Sequence, residues 1–272
     1  MSCPRIPLTR VAGATLLVTA LFGCSDVSTG PTARDLTIQE TLDVAAVTGD
    51  AVVEDIQMMG LHEAALGHGV LVLPRLGRWL ESNCRFTAST GRFACPDLRF
   101  GPFTIARSFQ LLDANGQPQA AYDRLTTASA NFVTTVSASI SRDRFDATYS
   151  RHRDLTVSGL LGGGTTHTFN GTGAGSVSSH HTGGGAARSY SMTSTMMLTN
   201  VVVPVPWRVG GWPRSGTITR QVSYSREGAR GEGRSGTRVV TITFNGTELV
   251  PMTVNGAPFT LDLATGKVVP RG

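Results

Sequence analysis

Between residues 84 and 263 apolar and polar residues alternate one for one, segment after segment, and that pattern leaves few folds open. Phe132, Val136, Ala138 and Ile140 share one parity, while Thr135, Ser137, Ser139 and Ser141 share the other. The same split recurs at 145–150, 155–158, 190–198, 240–244 and 259–263. Successive side chains of a strand point to opposite faces, so the alternation predicts antiparallel strands with one buried face. Asn115-Gly116, Asn245-Gly246 and Asn255-Gly256 supply the positive φ that tight hairpins need. About ten strands are expected in this stretch. The chain is therefore expected to be mainly β: an antiparallel meander sheet, curved or half-barrel-like, led by one or two short N-terminal helices. A β-sandwich is the alternative. An outer-membrane barrel would carry aromatic girdles, and aromatic residues make only 7% of the chain.

Several segments interrupt the ladder. Val201-Val202-Val203-Pro204-Val205-Pro206-Trp207 holds two residues that cannot donate a backbone hydrogen bond, which predicts an edge or a crossover. Residues 162–164 and 183–185 read as glycine loops, and 227–236 as a long polar hairpin tip. THTFNGT at 166–172 matches TITFNGT at 241–247 in six of seven positions, which fits either a duplicated hairpin or a favoured turn sequence.

The N-terminus carries an address. Arg5 and Arg10 precede a 12-residue apolar run at 11–22, which is the length of a signal-peptide core and too short to span a bilayer. The run ends in Leu21-Phe22-Gly23-Cys24, which resembles the lipobox of bacterial lipoproteins. The resemblance implies a diacylglycerol on the Cys24 thiol, cleavage between Gly23 and Cys24, and anchoring by two or three acyl chains. Ser25 after the cysteine implies the outer membrane under the enteric sorting rule. The body resembles β-rich exported bacterial proteins of unassigned activity.

The expected organisation is a signal peptide over 1–23, an acidic flexible tether over 24–49, a helical lead-in over 50–83 and the β domain over 84–272. Residues 35–47 are compatible with a short helix. A second helix is expected from an Asp50 cap to a stop at Gly67, with Val52, Val53, Ile56, Met59, Leu61 and Ala64 as its buried stripe. Eight acids and one arginine give residues 25–63 a charge of −7, whereas 21 bases and 11 acids give residues 64–272 a charge of +10. The scattered arginines read as solvated surface, partly neutralised by the acidic segment.

Cys84 and Cys95 bracket CRFTASTGRFAC. Folded as a hairpin turning at Ser89-Thr90, the segment sets Cys84 opposite Cys95 and Phe86 opposite Phe93. Opposed positions lie about 4.5–5.5 Å apart, within reach of a disulfide, and an exported chain meets an oxidising compartment.

No catalytic motif is present: no Gly-x-Ser-x-Gly, His-Glu-x-x-His, Walker loop or Gly-x-Gly-x-x-Gly. His180-His181 would point to opposite faces of a strand and so could share a metal only in a loop. Arg151-His152-Arg153-Asp154 reads as a solvated hairpin end. Glu227, Glu232 and Glu248 have no evident carboxylate partner. The reading is a cell-envelope lipoprotein acting as a structural or interaction module without catalysis, cofactor or metal. It would hold the membrane through its lipid and bind no nucleic acid. The alternative is a carrier or sensor of a lipid-like ligand, with Phe132, Ile140, Met192 and Met196 facing that ligand and an apolar patch near 201–212 serving the interaction reading instead.

Overall fold

The computed structural model describes residues 33–65, 83–182, 188–206, 211–227 and 233–271. The alternating segments pair, each with the next, into one antiparallel sheet of thirteen strands. They are β1 (Arg85–Thr87), β2 (Arg92–Phe100), β3 (Phe103–Asp113), β4 (Pro118–Gln119), β5 (Thr127–Arg142), β6 (Phe145–Ser158), β7 (Thr166–His181), β8 (Arg188–Pro204), β9 (Ser215–Glu227), β10 (Gly233–Thr243), β11 (Leu249–Val254), β12 (Ala257–Asp262) and β13 (Val268–Pro270). The order is a plain meander, with β4 attached only to β3. Its two edges, β1 and β13, are three residues long, too short to template another chain's strand well.

The disulfide hairpin has the expected register. Phe86 pairs with Phe93 and Cys84 is bonded to Cys95. The pairing then carries the aromatic row onward. Phe93 faces Phe109, and Phe109 faces Phe132, with ring centroids 4.4 and 6.0 Å apart. The Asn255-Gly256 turn also forms as expected, both residues at positive φ and Val254 opposite Ala257.

Helix α1 (Ala33–Ala65) covers the apolar face. It takes in residues 33–49 of the expected tether, the rest of which lies outside the described residues, and it meets both halves of the sheet. Gly49 abuts Gly266 and Val268 near β13, whereas His62 stacks on Phe132 of β5. Those strands are eight steps apart, or about 38 Å in a flat sheet. Thirteen helical residues rise only about 20 Å. The sheet therefore curls around the helix without closing into a barrel.

Three expectations need correction. The break at Gly49-Asp50 does not exist: Asp50 lies inside one continuous helix, because Gly49 is the point of closest approach to the β12–β13 turn. The stretch 201–204 is neither edge nor crossover. After Asn200 at positive φ it completes the central strand β8, pairs with β7, and buries Val201 and Val203, so it forms no exposed patch. Pro204 is tolerated because it is the strand's last residue. The two FNGT copies also differ, since 166–172 lies within β7 across a bulge while 241–247 ends β10 and turns at Gly246. The pair is no duplicated hairpin.

Candidate functional site

Six buried positions of α1 follow a three-four spacing, Ala45, Thr48, Val52, Asp55, Met59 and His62, with Val44 and Ile56 buried beside them. That spacing keeps one face of a helix turned to a single partner. Here apolar and polar members alternate, so a charge, a hydroxyl and an imidazole enter the core along with the aliphatic residues.

Asp55 meets three arginines. Its Oδ1 accepts from Arg151 Nη2 at 2.5 Å and from Arg153 Nε at 2.8 Å, and its Oδ2 accepts from Arg220 Nη2. Glu54 adds a second carboxylate to Arg151. All three arginines and Asp55 are buried. The Ala51 carbonyl accepts from Arg151 and Arg220, and the His152 and Ala174 carbonyls accept from Arg153. Burial lowers the Arg151 guanidinium well below its ordinary range, reinforced by Arg153 and Arg220; burial also lowers Arg220, opposed by Asp55. Burial raises the neighbouring Tyr149 phenol.

The expected solvated hairpin end at 151–154 is thus wrong. Arg151 and Arg153 sit mid-strand on the parity of Tyr149 and Leu155, and Arg220 on that of Ile218 and Val222. Gly173 makes room for them, since a Cβ there would lie 2.6 Å from Arg153 Nη1. Chemically the cluster is a clasp between helix and sheet.

At the far end of the stripe, His62 lies parallel to the Phe132 ring with centroids 4.1 Å apart. Its Nδ1 is buried without a hydrogen-bond partner among the described residues. Burial pulls the imidazole down to about 3, so it is neutral at ordinary pH.

The opposite face of the same strands carries an open cleft of about 450 Å³. Ser150 and His152 of β6, Ala174 to Ser176 of β7, Thr193 to Thr195 of β8, and Gln221 and Ser223 of β9 line it. No Asp, Glu, Lys or Arg side chain lines it, and His152 is its one titratable group. Elsewhere on this face hydroxyls pair across strands: Thr148 with Ser178 at 2.6 Å, Ser141 donating to Asp146 at 2.5 Å, and Ser189 donating to Glu227 at 3.1 Å. At the cleft rim His152 meets Thr135, and Ser223 meets Thr237. The side chains of Ser150, Ser176, Thr193, Thr195 and Gln221 hydrogen-bond to no other described residue.

The residues singled out from sequence fall in distinct places. Phe132 and Met196 are core beneath α1, Met192 packs half-buried against that core, and Ile140 is half-buried toward the β5–β6 tip. Phe132 is covered by His62 of the chain's own helix, and Met196 lies against Arg220 of the clasp. His180 and His181 lie in β7 and so point to opposite sides. Among the described residues no three His, Cys, Asp or Glu side chains gather as a metal site, and no helix is long and apolar enough to cross a membrane. Glu227 accepts from Ser189. Cys24 and Glu232 lie outside the described residues. Sequence reasoning missed the Asp55 clasp and the cleft. The available signal for the clasp was three arginines on the apolar parity; the cleft, formed by side chains from four strands, had none. No protein-family model, curated protein or solved structure matches this chain.

Proposed function

We propose that this chain is a cell-envelope lipoprotein, anchored through Cys24 to the outer membrane, whose β domain is a non-catalytic interaction module. The observation that carries the reading is the division of labour between the two faces of the sheet. The apolar face is filled by α1 and clasped through Asp55. The polar face holds an open cleft whose hydrogen-bonding side chains have capacity to spare. A module built this way engages partners through the polar face and leaves no room for a lipid beside Phe132 and Met196. The sequence from Arg5 to Ser25 supports the anchor.

The anchor is tested by fractionation and intact mass of the protein made in a bacterium with an outer membrane. The chain is expected in the membrane fraction, starting at Cys24 and carrying the mass of two or three acyl chains. Cys24→Ser should abolish both the processing and the added mass. An unmodified, soluble wild-type chain would overturn the reading.

A further inference from the structure

Resting on that interaction-module reading, we infer that the cleft between β6 and β9 is a binding site for a neutral saccharide chain. Three observations converge. No Asp, Glu, Lys or Arg lines the cleft, His152 being its one titratable side chain, and it offers no large apolar side chain to an acyl chain. Its volume, about 450 Å³, falls within the range of small-ligand sites and suits two or three sugar rings. Its polar groups are poised rather than spent: Ser150, Ser176, Thr193 and Thr195 present hydroxyls that both donate and accept, and Gln221 presents a planar amide with a donor and an acceptor side by side. Vicinal hydroxyls of a sugar need that alternation.

The backbone explains why these groups can converge. Ala174 is the small residue of β7 on the cleft face, between His152 of β6 and Thr195 of β8. The five side chains come from four strands and are fixed by register on two neighbouring rungs, Ser150 opposite Ser176 and Ser176 opposite Thr193 on one, Thr195 opposite Gln221 on the other. A rigid scaffold limits the entropy lost on binding. No aromatic platform lines the cleft, so affinity for a short oligosaccharide should be weak and should grow with polymer length.

The test is calorimetric titration and saturation-transfer NMR of the full chain in mild detergent, with maltotriose, cellotriose and tri-N-acetylchitotriose as probes. At least one is expected to bind with Kd of about 0.1–10 mM. Thr193→Val with Thr195→Val, which keeps strand preference, should weaken that binding at least about tenfold. Gln221→Glu should do the same by placing a charge in the cleft, while Ser139→Ala, outside it, should change nothing. Absence of binding by all three probes at about 20 mM, or binding indifferent to both cleft variants while they remain folded by circular dichroism, would overturn the assignment. Either result leaves membrane anchoring, read by fractionation, unaffected, so the two readings fail separately.

Discussion

Asp55 decides whether the helix and the sheet are one body. Its carboxylate is shared by three buried guanidiniums whose charge has been taken out of water. A buried ion cluster gains little over a well-packed apolar one, but removing one member leaves uncompensated charge and costs about 3–5 kcal/mol. Asp55→Asn is therefore expected to lower stability to urea by about that amount. Glu54→Gln, at a side chain 36% exposed, should cost less than about 1 kcal/mol. His62 adds a pH dependence. Its unfolded imidazole takes up a proton near pH 6.5, but in the fold it does so only near 3. The contribution of neutral His62 is thus complete above about pH 6.5 and is lost as pH falls, with a slope of up to about 1.4 kcal/mol per unit. Urea midpoints measured from pH 7 to pH 4 should fall in the wild type, and His62→Phe, which keeps a ring on Phe132, should flatten that fall.

At the scale of elements, Gly49 separates local preference from packing. Alanine in a helix interior is ordinarily better than glycine by about 1 kcal/mol. Here a Cβ would sit 2.5 Å from the Gly266 carbonyl oxygen and 2.8 Å from Val268 Cγ2. Gly49→Ala is expected to lower the melting temperature instead of raising it. The same residue explains what the sequence concealed. Gly49-Asp50 looks like a helix boundary because glycine and a capping acid adjoin, whereas tertiary contact required the glycine. The strands, by contrast, were legible from alternation, as were the Cys84–Cys95 hairpin and the Asn255-Gly256 turn, because each depends on neighbours along the chain. The clasp depends on residues 96 to 165 positions apart. Asp55 reads as one acid of the −7 segment and Arg151 as surface until the helix is laid on the sheet. The cleft is a product of register among four strands, which alternation alone does not supply.

For the whole molecule, the opposed charges of the two chain segments acquire a structural meaning. Two acids of the −7 segment, Glu54 and Asp55, dock onto arginines of the +10 segment. The N-terminal part is thereby the inner half of the core as well as the link toward Cys24. That arrangement seals the apolar face and leaves the hydroxyl face to work. Native mass spectrometry of the Cys24→Ser chain, purified from bacterial periplasm or membranes and paired with lipid extraction, tests that claim most directly. The substitution keeps covalent lipid out of the reading. A mass equal to the polypeptide, with no acyl chain in the extract, is the expected result. An acyl-chain ligand bound at one per chain would contradict it, and would return the face of Phe132 and Met196 to the role of a carrier.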